Sequence, residues 1–261
     1  LFVDLDKCDD ALREHLGEDV TLHEESAFDS ALKMLQGRVG VDQNSAPIAV
    51  SELLPEPVWQ DDPCILPKAC KNAAEIAGTR AAHIRDAAAM AEFLCWLEDT
   101  APNDKLTEID VVKQLETFRR NTNMLKDISF ETISGSGPNG AIVHYRVNEE
   151  SNRTINPGEV LLVDSGGQYV DGTTDITRTV AIGEVPDEVK RANTLVLKGM
   201  IAVSRARWPE SAWGRDLDGF ARMALWKAGM DYDHGTGHGV GTYLGVHEGP
   251  QGMARRITRP L

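Results

Sequence analysis

Two aspartates, Asp164 and Asp175, bracket a polar, glycine-bearing turn in VLLVDSGGQYVDGTTDITRTV, residues 160–180. The run Val160 to Val163 is apolar and β-branched at its ends, and it stops abruptly at Asp164. The chain returns through Thr173 to Val180 with strand-like alternation. In an antiparallel ribbon, side chains of one parity share a face, so both carboxylates can point to the same side. Carboxylates held that close repel each other unless a proton or a cation lies between them. The plainer alternative on these residues is that Asp164 caps the turn and Asp175 is a solvated strand residue. A second stretch, DHGTGHGVGTYLGVHEGP at 233–250, sets His234, His238 and His247 among glycines, with little apolar mass to pack against. Imidazole is the commonest nitrogen ligand for divalent metals, and glycine lets backbone approach an ion or a substrate closely. The His234–His238 spacing suits a helical zinc pair, but the glycines oppose a helix and the HExxH glutamate is absent. The stretch therefore points to one metal-binding histidine, with the other two handling substrate.

These two stretches, with ISGSGPNGAIVHYRV at 133–147 upstream, resemble the aminopeptidase P (Xaa-Pro aminopeptidase) family of pita-bread metallopeptidases. The resemblance implies two divalent metal ions, manganese first with cobalt or zinc as alternatives, held by two aspartates, one histidine and two glutamates. Asp164 and Asp175 match the aspartate ligands and His238 the histidine ligand. His144 matches a histidine that contacts substrate near the scissile bond; His234 and His247 match histidines lining the proline side of the cleft. A catalytic role, bonding the substrate carbonyl or the tetrahedral intermediate, is implied for His144 or His247. The implied reaction removes the first residue from peptides with proline second, using a hydroxide that bridges the two ions. The family's two glutamate ligands belong to strands after VHEGP. Glu248 falls within that motif and is not promoted to a ligand, so the chain is expected to be a fragment, cut at both ends and inactive by itself. A prolidase restricted to dipeptides, metal-free creatinase chemistry, and a non-catalytic binding module on the same fold are the rival readings.

A net charge of −14 without a basic cluster speaks against nucleic acid. No apolar run approaches the roughly 18 residues that suggest a membrane span. The cysteines Cys8, Cys64, Cys70 and Cys95 lack metal-type spacing and read as free thiols in a reducing, cytoplasmic setting. A homodimer is expected only from the general frequency of closed two-fold assemblies.

The elements that must position the site predict an α+β fold: a pita-bread catalytic domain over 68–261, incomplete at its C-terminal end. The tail of an α/β N-terminal domain over 1–55 precedes it, joined by a proline-rich linker at 56–67. In the N-terminal part LFVDL, DVTLH and RVGVD read as strands, alternating with two short helices. Helices are expected over 68–99, from Thr107 to about Arg120, from Pro186 to about Ala206, and over 215–228. Ile128 to Tyr145 reads as strand around an SGSGPNG loop, with His144 ending it. That loop lacks the GK[ST] of a phosphate cradle. Asp86, Glu92 and Glu98 read as solvated charges on a helix face.

Overall fold

The computed structural model describes residues 1–103 and 105–255, which divide into two compact units, Leu1–Cys64 and Ile65–Leu261. In the first unit α1 (Asp10–Leu16) and α2 (Phe28–Met34) precede β1 (Arg38–Asp42), α3 (Ile48–Leu53) and β2 (Glu56–Gln60). Asp9 caps α1 by accepting from the Leu12 N–H at 2.8 Å, and Gly17 at φ 64° closes it. β1 and β2 pair in parallel with Arg38 opposite Glu56, and the stretch containing α3 is the crossover that parallel pairing demands. The proline-rich stretch expected as a linker thus carries a strand of the first unit. Pro57 is tolerated there because each strand of a two-stranded sheet keeps an open edge. LFVDL and DVTLH were expected as strands, yet they meet only in a single Phe2–His23 bridge. Asp4 turns the chain into a 3-10 helix at Leu5–Lys7 by accepting from the Asp6 N–H.

The second unit opens with α4 (Ile65–Ala69), α5 (Ala73–Thr100) and α6 (Glu108–Asn121). One helix was expected from residue 68, but Asn72 and Glu75 form a capping box that starts α5 afresh. Thr107 and Asp110 make the corresponding box on α6. Against these helices lies a three-stranded antiparallel sheet in the order β4 (Ile133–Ser136), β5 (Val160–Ser165) and β8 (Ile176–Ala181). A smaller antiparallel sheet joins β3 (Asp127–Ile128), β6 (Gly167–Tyr169) and β7 (Gly172–Thr173). Phe93 and Leu97 of α5, Val111 and Leu115 of α6, and Leu161 and Val163 of β5 form the core, all essentially without solvent exposure. Burial of these apolar side chains contributes about 1.5–3 kcal/mol each relative to exposure. Beyond the sheet come α7 (Asp187–Arg205), α8 (Gly214–Trp226) and the antiparallel pair β9 (Gly237–Gly239) with β10 (Glu248–Met253). Among the described residues, no helix is long and apolar enough to cross a membrane.

Two further expectations fail. Asp86 is not solvated: it is buried on α5, where Arg119 of α6 donates to both of its oxygens, at 2.8 and 3.1 Å. Helical spacing alone shows a charge on a face but not the cation that another helix brings to it. The strand expected up to Tyr145 ends at Ser136, because Gly137–Ala141 coil into a 3-10 helix and residues 142–145 turn. Ile142 and Val143, read as strand, are each more than half exposed.

Candidate metal centre

The alternation of β5 sets the site. Leu161, Val163 and Ser165 face the helices, so Asp164 faces the other way. In the ladder Asp164 pairs with Thr177 of β8, and Asp175 lies two residues before Thr177 on the same face. The two carboxylates are therefore diagonal neighbours across the ribbon. Asp164 has its pKa raised, chiefly by burial and further by the charge of Asp175, while a hydrogen bond from Thr177 opposes the shift. Its Oδ1 is buried with no hydrogen-bond partner, an arrangement native proteins rarely leave unexplained.

β9 brings His238 to the same place, with its Nε2 3.2 Å from Asp175 Oδ2. Its Nδ1 lies 2.8 Å from the Gly239 carbonyl. Donation through Nδ1–H fixes the ring and leaves Nε2 to meet Asp175 or an ion, the usual way a ligating histidine is oriented. The pKa of His238 is raised, first by the hydrogen bond with Asp175, with burial opposing. His247, just before β10, packs its ring on that of His238 with centroids 4.1 Å apart at 67°. One ligand atom from each of Asp175, His238 and His247 can be chosen so that all lie within 4.8 Å of one another. The ring of His144 lies 6.5 Å from that of His247, and His144 is near enough to Asp164 to pull slightly against the rise of its pKa. His144 holds a left-handed backbone at φ 56°, uncommon away from glycine.

Five of the six residues singled out in the sequence thus converge: Asp164, Asp175, His238, His247 and His144. His234 makes other contacts. Its ring packs on Tyr232 at 4.7 Å, its Nδ1 lies 2.8 Å from the Gly235 carbonyl, and its own carbonyl accepts from Arg222 at 2.8 Å. Two carboxylates, one of them with a buried unpartnered oxygen, and two imidazoles make a donor set that fits a hard or borderline divalent cation.

The supports of this cluster were not legible in the sequence. Tyr169, in the hairpin between the two aspartates, donates to buried Asp86 at 2.8 Å. Asp171 in the same hairpin accepts both terminal nitrogens of Arg85 at 2.9 Å. Arg222 of α8 donates to Asp218 and Asp231 at 2.8 Å each, as well as to the His234 carbonyl, and so straps the loop leading into β9. Glu248, beside His247, is engaged by Lys71 and by Lys68, the latter at 3.2 Å. Burial pushes the Glu248 carboxyl up, but the two lysines together bring it below its usual range.

The metallopeptidase family M24 model matches residues 77–261, and the creatinase/prolidase N-terminal domain matches residues 1–75. A probable Xaa-Pro aminopeptidase P from Aspergillus niger is 42% identical, covering 98% of this chain and 44% of the relative. Aminopeptidase P2 from Arabidopsis thaliana is 51% identical over 77% of this chain and 29% of its own length. The crystal structure of X-prolyl aminopeptidase from Caenorhabditis elegans, described as a cytosolic enzyme with a di-nuclear active site, matches with a TM-score of 0.92. It is 38% identical and covers 99% of this chain and 44% of its own. The chain thus spans less than half the length of these relatives. With the match extending over well more than half of its residues, the chain belongs to metallopeptidase family M24.

Proposed function

We propose that this chain contributes the metal-binding face of a two-metal Xaa-Pro aminopeptidase, with Asp164, Asp175 and His238 as metal ligands and Ile65 onward as the catalytic unit. The observation that carries the reading is the meeting of Asp164, Asp175 and His238 on one face, with Asp164 Oδ1 buried and unpartnered. The N-terminal unit, Leu1–Cys64, is non-catalytic scaffold in this reading. Oxygen-rich donors with few imidazoles and no thiolate favour manganese over a thiolate-type zinc site. Exposed free thiols at Cys64, Cys70 and Cys95 suit a reducing, cytoplasmic compartment.

Divalent ions bound here supply Lewis acidity toward a scissile carbonyl and a water acidic enough to react near neutral pH. The protein's own groups do the rest. Asp164 and Asp175 offer negative charge from a rigid ribbon, so the donors need little reorganisation on binding. His238 presents Nε2 with its ring already fixed through Nδ1. His144 and His247, both exposed, stand beside the carboxylates, where a ring N–H can bond a substrate carbonyl oxygen as charge develops on it. His247 and His234 are assigned to the proline side of the substrate.

The test is manganese-dependent release of arginine from Arg-Pro-Pro by the protein in its full natural length, beside the dipeptide Arg-Pro and an Asp175→Asn variant. Tripeptide cleavage lost in the variant supports the aminopeptidase reading. Cleavage of the dipeptide alone replaces it with a prolidase, and an unaffected Asp175→Asn overturns the site.

A further inference from the structure

Glu108 has no solvent exposure, yet no lysine, arginine or histidine side chain pairs with it among the described contacts. Its charge is met instead by donors from a single stretch of chain. Oε1 accepts from the Ser136 N–H at 2.6 Å and from Asn139 Nδ2 at 3.0 Å. Oε2 accepts from the Tyr145 hydroxyl at 2.9 Å and from the Arg153 N–H at 3.1 Å. These donors flank the turn that carries His144. Glu108 itself begins α6, whose N-terminal dipole favours a negative charge there. The carboxylate is thus fixed to a core helix on one side and to the His144 turn on the other. Tyr145 is buried and immediately follows His144, whose φ of 56° needs surroundings that hold it. The same hydroxyl also lies 3.1 Å from the Ser151 carbonyl and 3.0 Å from Ser151 Oγ, and its pKa is raised by burial first, with Ser151 opposing and Glu108 adding to the shift.

We propose that Glu108, acting through the hydroxyl of Tyr145, is a positioning residue that holds His144 in its left-handed backbone and so aims the imidazole toward Asp164 and His247. Any kinetic consequence rests on the reading of His144 as a substrate-contacting group; the positioning itself does not. A plain structural role for Glu108 differs in what it predicts, since lost stability alone would not move His144 in the folded protein.

The decisive variant is Tyr145→Phe, which removes one hydroxyl and leaves Glu108 its other donors. Glu108→Gln is the harsher companion, because its amide sets an N–H against donors. In full-length, histidine-labelled protein, the His144 Cα and ring signals shift in Tyr145→Phe while those of His234 stay in place. Turnover of Arg-Pro-Pro falls about 10- to 100-fold, the scale of a slightly misplaced group. The split between kcat and KM matches that of His144→Ala, and adding Tyr145→Phe to His144→Ala costs nothing further. Unmoved His144 signals overturn the proposal, as do single losses that multiply in the double variant. If His144→Ala alone leaves turnover intact while Tyr145→Phe shifts the His144 signals, the positioning stands and the catalytic assignment of His144 falls.

Discussion

Arg119 Nε and Asp86 Oδ1 lie 2.8 Å apart in a pair whose side chains are 0% and 3% exposed. The Tyr169 hydroxyl donates to the same Asp86 oxygen, also at 2.8 Å. Tyr169 belongs to the hairpin between Asp164 and Asp175, so one buried carboxylate on α5 joins the helical core to the ribbon that carries both aspartates. Removing it strands a guanidinium in the core. Asp86→Ala is therefore expected to cost about 3–5 kcal/mol in urea unfolding, the penalty for an uncompensated buried charge. A loss below about 1 kcal/mol, the level of an exposed pair, would show that the pair is not sealed from water.

Metal binding is expected to read out in stability. At free manganese a hundred times its Kd, ligation to the folded state alone adds about 2.7 kcal/mol and raises Tm. Asp175→Asn and His238→Ala are expected to abolish that rise while leaving the metal-free Tm within a few degrees, since neither side chain is in the core. An equal rise in both variants would place the ion elsewhere.

Asp171 supplies a pH dependence. The Arg85 guanidinium beside it holds its carboxyl below the usual range, with burial opposing. A carboxylate lowered by folding contributes stability above its unfolded pKa of about 3.9, and loses it as pH falls through the lower folded value. Both side chains are partly exposed, so the pair is worth about 1 kcal/mol or less near neutrality. The stability gap between wild type and Asp171→Asn should stay constant from pH 7 to about pH 5 and narrow as pH falls further toward pH 3. A gap that stays constant across that range would assign the effect to shape and not to charge.

Gly78 looks like a weak point in α5, and propensity alone predicts a gain of about 1 kcal/mol from Gly78→Ala. The structure predicts a loss. A Cβ there would stand 2.5 Å from the Asp171 carbonyl oxygen, so helix and hairpin must separate, at about 1–3 kcal/mol. Thermal unfolding decides: a raised Tm would mean that the hairpin does not sit this close to the helix.

The sequence by itself determined the local elements and the inventory of donors. The Thr107–Asp110 box, the acidic start of the helix at Asp187 and the apolar run ending in Asp164 are short-range patterns, and each element stands where its pattern puts it. Strand parity allowed Asp164 and Asp175 to share a face, and the register that pairs Asp164 with Thr177, which the tertiary structure supplies, put them there. What depends on partners distant in the chain was decided only by the tertiary structure. Asp86 reads as a surface charge until α6 delivers Arg119, and Glu108 as a helix-start residue until the 136–153 stretch surrounds it with donors. His144 ends an apolar run on paper, yet it lies in a tight left-handed turn because Asn139 and Tyr145 are drawn onto Glu108. His234 and His247 are alike in composition and surroundings along the chain, yet one ring packs on His238 and the other on Tyr232. Local patterning acts over a few residues, whereas the energy of a buried charge depends on whichever segment the fold brings against it.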